Sequence, residues 1–235
     1  VVHHGQRYEI ALTFVWADEP IEQIVERLVA QTRRLGLRIQ RAYLDKGFAC
    51  PGVFTLLRRH RIPYLIPLPI KGKTGGLRAL CQGKASYRTV HTFNAGTAKA
   101  YTTDVILLCR YTKGRYGRQG CQWFAYATYR MERVPLTQIF SLYRRRFGME
   151  SGYRQMHQLR ARTTSANPTW RLVLVGGALL LYNIYIYFRQ NGRQANPYDR
   201  RTRATWLSLN RMAHMILRLI EQRLGIVDFE TGVSI

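Results

Sequence analysis

Acidic side chains are scarce in this sequence of 235 residues. Thirteen aspartates and glutamates stand against 37 lysines and arginines, which gives a formal charge of +24 at pH 7. A compact domain that keeps such a charge favours a polyanionic partner, either a nucleic acid or an anionic membrane surface. Because carboxylates are few, chemistry that depends on them has only a handful of candidate residues.

The sequence also lacks metal-binding and export signals. Its four cysteines contain no CxxC pair, so their spacing predicts neither a zinc site nor a disulfide framework and indicates a reducing, cytoplasmic compartment. A secretory signal peptide begins with basic residues, followed by an apolar run that ends in small residues. The sequence shows no such pattern, so secretion is not expected. Val1 and Val2 are interpreted as the end of a strand whose beginning lies upstream.

Hydrophobic residues make up 46% of the chain, too many for a disordered protein, and their spacing predicts an α/β fold. A helix is expected over residues 20–35, with Asp18 as its cap, Pro20 at its first position and Gly36 just past its end. A second helix is expected over residues 50–61. Strands are expected over residues 8–16, 37–44 and 62–70. The last contains three prolines, which predict either an edge strand or a strand that soon ends.

The second half of the chain changes in character. Glycine-rich turns separate short apolar runs over residues 71–130, which predicts a β-rich insertion. Helical spacing returns over residues 135–159, 170–188 and 205–224.

Residues 172–188 form an apolar run with one strongly polar residue, Asn183. A membrane span usually needs about 20 such residues, so this run lies at the lower limit. We favour a buried core helix and no membrane contact, and we keep a membrane-associated protein as an alternative.

Two carboxylates stand apart from the solvated acids. Asp45 directly follows a predicted strand, where open α/β sheets place catalytic and ligand-binding groups, although it could equally cap the next helical turn. On a continuous helix, Tyr143, Arg146, Glu150 and His157 would share one face. Such a face either lines a cleft or forms a solvated ladder of ion pairs.

These residues carry a family resemblance. The string YRRRFGME from Tyr143 to Glu150, followed by His157, resembles the Y-(2)-R-(3)-E-(6)-K signature of bacterial insertion-sequence DDE transposases. The LDKGF string around Asp45 is similar to the strand end that carries the second aspartate of that family. Histidine stands at position 157 where the family has lysine.

The resemblance covers roughly residues 1–189 and implies an RNase H-like core over residues 1–70, an insertion over 71–130 and completion of the core over 131–190. The remaining residues, 191–235, are interpreted from their own composition as a basic helical tail. The resemblance implies that Asp45 and Glu150 are catalytic ligands of two Mg²⁺ ions, with Mn²⁺ as a possible substitute, and that Tyr143, Arg146 and His157 bind DNA. It also implies that Trp123 stacks on a flipped base, although the side chain could simply fill the core.

The implied activity is metal-dependent cleavage and strand transfer of DNA at transposon ends. The implied partners are transposon-end and target DNA and a second copy of the chain in a synaptic complex, in the bacterial cytoplasm near the nucleoid. The family's first aspartate belongs on a strand before Val1, so we expect these 235 residues alone to be impaired. The alternative is a DNA-binding transposase remnant without catalysis.

Overall fold

The computed structural model describes residues 2–3, 6–111, 121–144, 146, 148–195 and 207–226; the side chains of residues 2–3, 6–7, 148–153 and 192–195 lie outside this description. The chain divides into two compact units. The sheet unit comprises Ala11–Phe147, and the helical unit comprises Val1–Ile10 together with Gly148–Ile235.

The described residues form seven strands and seven α-helices. In chain order these are β1 Val2–His3, β2 Gln6–Arg7, α1 Ile21–Arg34, β3 Ala42–Tyr43, α2 Pro51–Arg59, β4 Tyr64–Leu68, α3 Gly76–Leu80, β5 Tyr87–Phe93, β6 Tyr101–Tyr111, β7 Cys121–Tyr129, α4 Leu136–Arg144, α5 Gly148–Leu159, α6 Pro168–Ala195 and α7 Leu209–Arg223. A single 3₁₀ turn, Lys46–Phe48, separates β3 from α2.

The sheet unit is built on one five-stranded mixed sheet with the strand order β3-β4-β7-β6-β5. The pair β3 and β4 is parallel, and the other three pairs are antiparallel. The predicted α/β class is therefore confirmed. The insertion strands β5, β6 and β7 continue the core sheet, because β7 pairs along the whole of β4, from Tyr64 opposite Tyr129 to Leu68 opposite Ala125.

The central strands are buried on both faces, and successive residues alternate between two cores as the period of two requires. Tyr64 and Ile66 face the core that includes Val53 and Phe54 of α2, whereas Leu65 between them faces the core that includes Ile139 of α4. The sheet is thus sandwiched between α1 and α2 on one face and α4 on the other.

Helix α1 forms where its apolar spacing predicts. Its buried residues are Ile24, Val25, Val29 and Thr32, and Gly36 follows in the left-handed conformation with φ of +72°. The predicted cap is wrong, since the residue at the N-cap is Pro20 and no side chain caps the helix.

Two strand predictions need correction, and the structure decides between the alternatives left for a third. Residues 8–16 form no strand; the backbone N–H and carbonyl of Glu9 instead bind the side-chain amide of Asn183. Strand β3 is only two residues long. Strand β4 is not at an edge, and of the two alternatives that the prolines left open the short strand is the one observed, since β4 ends at Leu68. Its neighbour β3 pairs only with Tyr64 and Leu65, so Pro67 lies beyond that ladder and its missing N–H breaks no bond to β3.

The helical unit packs α6 against α5 and α7. Tyr182, Tyr185 and Ile186 of α6 form an apolar cluster with Leu209 and Met212 of α7. Asn183, the polar residue of the apolar run, is satisfied by the backbone of Glu9, with distances of 2.9 Å and 2.6 Å.

Helix α6 is the one helix in the described part of the chain that is long and apolar enough to cross a membrane by length and composition, over Pro168–Asn191. Only 22% of its most apolar window is buried. Leu180 and Tyr187 are among its exposed side chains. The helix is confirmed, but its predicted deep burial is incomplete.

Candidate active site

Asp45 lies immediately beyond the carboxyl end of β3, in the sheet unit. Its Oδ1 accepts a 2.7 Å hydrogen bond from the backbone N–H of Lys46, so the carboxylate caps the 3₁₀ turn. The side chain is nevertheless half exposed. The capping alternative predicted from the sequence is therefore observed, and the capped carboxylate is still accessible to solvent and to a ligand.

Arg146 is the cation beside this carboxylate. Its Nη2 lies 3.6 Å from Asp45 Oδ1, and 15% of its side chain is exposed. The guanidinium carbon also lies 5.4 Å from the centre of the Tyr143 ring, within cation–π range. The structure thus brings together Asp45, Arg146 and Tyr143, three of the residues singled out from sequence.

Tyr143 belongs to the core as much as to the site. It is 6% exposed, and its ring centre lies 5.3 Å from that of Tyr126 on β7. Burial, with a further contribution from neighbouring Tyr143, raises the pKa of Tyr126 to about 12. Both tyrosines therefore belong to the core, and direct contact of Tyr143 with DNA stays a prediction.

The single continuous helix predicted over residues 135–159 is wrong. Helix α4 ends at Arg144 and α5 begins at Gly148. Gly148 favours an interruption at this point, because glycine costs about 1 kcal/mol in a helix interior. The common face predicted for Tyr143, Arg146, Glu150 and His157 therefore does not exist as one helical stripe.

Glu150 lies in the first turns of α5, in the helical unit, and its side chain falls outside the described residues. His157 lies in the last turn of α5 and is exposed. The roles predicted for these two residues stay predictions.

Trp123 lies on β7 and is half buried against the core. Its ring meets that of Tyr87 edge to face, with centres 6.2 Å apart. The core-packing alternative is thus the one observed in the structure, and stacking on a DNA base stays a prediction.

Three of the six other described carboxylates of the sheet unit already pair with basic side chains. Glu19 is bound to Arg27, Glu26 to both Arg59 and His60, and Asp104 to Arg58. Within the described residues there is no group of three or more histidines, cysteines, aspartates or glutamates that could hold a metal ion. Asp45 itself fits a divalent cation, because its half-exposed carboxylate supplies hard oxygen donors of the kind Mg²⁺ prefers.

A thiol pair was missed from the sequence. The Sγ atoms of Cys109 on β6 and Cys121 on β7 lie 2.6 Å apart, although twelve positions separate the two residues in the chain. The hydrogen bond with Cys109, together with burial, raises the pKa of Cys121 to about 11. The strand register explains the pair, because it places Cys109 opposite Trp123, two positions from Cys121 on the same strand. No spacing in the sequence indicates that register.

Cys121 should therefore alkylate slowly under reducing conditions. With a pKa of about 11 instead of the usual 9.0, its thiolate fraction at pH 8 is lower by roughly 100-fold. Site-resolved mass spectrometry of iodoacetamide labelling measures the rate. Replacing Cys109 by alanine removes the hydrogen bond and should speed the labelling of Cys121; equal rates in the two proteins would contradict this account.

Comparison with known families agrees with the fold. The family described as Transposase DDE domain matches residues 18–184. This chain belongs to that family, and its mixed five-stranded sheet with flanking helices is consistent with an RNase H-like transposase fold. No curated protein matches the chain.

Proposed function

We propose that this chain is the catalytic domain of a bacterial insertion-sequence transposase that cleaves DNA at transposon ends and joins it to target DNA. Membership of the Transposase DDE family over residues 18–184 carries the proposal. The position of Asp45 supports it, since a solvent-open carboxylate at the end of a core strand is where such chemistry is placed.

Asp45 and Glu150 are the proposed metal ligands. Bound Mg²⁺ ions would lower the pKa of the attacking water and stabilise the departing 3′ oxygen. The capping bond from Lys46 N–H holds the Asp45 carboxylate in one orientation before any ion arrives. Arg146 offsets its charge in the meantime and is placed to receive a DNA phosphate beside it.

The proposed DNA contacts of the site come from Arg146, His157, Tyr143 and Trp123. Support is strongest for Arg146, whose guanidinium lies next to Asp45, and for His157, which is exposed. Tyr143 is proposed to orient Arg146 through its ring, since the two stack. We further propose a homodimer acting in the cytoplasm, which brings two transposon ends together.

We propose that these 235 residues hold two of the three carboxylates of the family's site, Asp45 and Glu150, and that the first aspartate belongs to an upstream strand. We propose that they bind DNA without nicking it in Mg²⁺ or Mn²⁺, and that a version carrying the upstream strand with the third carboxylate cleaves. A nicking assay on supercoiled plasmid compares the two proteins. If neither cleaves although both bind, the remnant that binds DNA without catalysis is the better description.

DNA binding should depend steeply on salt. Each neutralised phosphate contributes about 0.9 to the slope of log K against log salt, so an interface of several phosphates gives a slope of several units. Replacing Arg146 by alanine should lower the slope by about one, as loss of one phosphate contact requires. A titration of a short duplex by fluorescence anisotropy measures both, and a wild-type slope near zero would reject a phosphate-dominated interface.

A membrane-associated protein is the second candidate, favoured by the composition and low burial of α6. Fractionation separates the two proposals. A DNA-acting protein should be recovered without detergent, whereas an anchored one should remain in alkali-washed membranes.

A further inference from the structure

A concavity of about 870 Å³ lies in the sheet unit, at the opposite end of the strands from Asp45. Its lining comes from the segment before β3, the segment before β4 and the residue after β7. Asp45 follows the carboxyl end of β3, and β3 and β4 run parallel. The concavity, which lies where these strands begin, is therefore at their other end.

The lining is strongly basic. It contains the four arginines Arg33, Arg38, Arg61 and Arg130 and no aspartate or glutamate. None of the four forms an ion pair with an acid among the described residues, and only Arg33 has a side-chain hydrogen bond there, to His60. Four exposed arginines around one concavity that no carboxylate lines give it a positive potential, which attracts an anion.

Arg33 is held in place by the protein. Its Nη1 lies 2.8 Å from His60 Nδ1, and its Nη2 donates to the carbonyl oxygen of His60 at 3.3 Å. Since Arg33 can only donate, Nδ1 accepts, so the His60 proton lies on Nε2, which is 2.8 Å from Glu26. The hydrogen bonds that link Arg33, His60 and Glu26 therefore fix one wall of the concavity.

Two of the arginines occupy backbone positions that favour glycine. Arg61 has φ of +55° and follows α2, and the bonds from Arg61 N–H to the Arg58 carbonyl and from Ile62 N–H to the Leu57 carbonyl form a Schellman motif. Arg130, just after β7, also has φ of +55°. Arginine at either position carries backbone strain that glycine would not, which is explained if the side chain is needed there.

We propose that this concavity, lined by Arg33, Arg38, Arg61 and Arg130, is a second DNA-binding site. It would hold backbone phosphates of a duplex at the opposite end of the strands from Asp45. The proposal rests on the proposed action on DNA. Guanidinium groups suit the site because they bind phosphate oxygens in pairs. Contacts to phosphate alone carry no sequence preference, so any duplex should bind here.

The test removes the three arginines that have no side-chain hydrogen bond among the described residues, with Arg38→Ala, Arg61→Gly and Arg130→Gly. The slope of log K against log salt for a short duplex should fall by about two to three units, and affinity near physiological salt by roughly a hundredfold, at about 0.9 per phosphate. The thermal midpoint should hold or rise, because both glycines relieve left-handed strain.

A charge-matched control separates the site from net charge. Lys73, Lys99 and Arg133 are exposed elsewhere in the sheet unit, and their replacement by alanine removes the same three charges. The control should change the slope by less than one unit; a loss equal to that of the first variant would overturn the proposal.

Two further outcomes would also overturn it, and they have different meanings. A steep wild-type slope that is unchanged in the arginine variant rejects this site and leaves the proposed function standing. A wild-type slope near zero rejects the proposed function and this site together.

Discussion

Cleavage should be lost by well over a hundredfold when Asp45 is replaced by asparagine in the version of the protein that carries the upstream strand. The reason is that removing even the partners of metal ligands costs 10- to 100-fold in affinity or activity, and a ligand itself should cost more. DNA affinity should stay nearly unchanged. A quantitative nicking assay beside an anisotropy titration measures the two effects.

Asparagine is the informative replacement because Asp45 also caps the 3₁₀ turn. Asparagine and aspartate are about equally good helix caps, so Asp45→Asn keeps the cap and removes the charge, whereas Asp45→Ala removes both. Glu150→Gln is the matched change at the second carboxylate and should lose cleavage to a similar extent. Full cleavage by Asp45→Asn would show that this residue serves the fold alone.

Replacing Phe54 by alanine should destabilise the sheet unit by about 3–5 kcal/mol, the range for emptying a large buried aromatic site. Phe54 is fully buried, and its ring centre lies 5.7 Å from that of Tyr64 and 5.8 Å from that of Phe93. The side chain thus ties α2 to two strands of the sheet. Urea unfolding followed by tryptophan fluorescence measures the change.

Val90→Ala is the control for this loss. Val90 lies on β5 and is 58% exposed, so its truncation should alter the free energy of unfolding by no more than about 0.5 kcal/mol. If both variants lose similar stability, Phe54 is not a central core residue.

Local patterns predicted the elements whose reasons are local. The apolar spacing of α1, the short basic helix expected at α2 and the apolar run of β4 led to elements within a few residues of those observed. The aspartate after β3 was found because a strand followed by an acid, a glycine and a helix is visible in the sequence itself.

The remaining features depend on contacts between distant parts of the chain. The backbone of Glu9 hydrogen-bonds the side chain of Asn183 rather than a neighbouring strand. Strand β4 is an inner strand only because β7 pairs with it. The break between Arg144 and Gly148 was hidden by an apolar spacing that continues across it. The arginine-lined concavity draws on separate segments of the chain, so no window of sequence contains it.

The order of strands in the sheet has a consequence for how the protein folds. Strands β5, β6 and β7 are successive hairpin partners, whereas β4 meets β7 only after residues 69–120 have been bridged. Closing that long segment costs chain entropy before any contact repays it. The three-stranded meander should therefore form early, and β4 with α2 should dock on it in a later step that limits the folding rate.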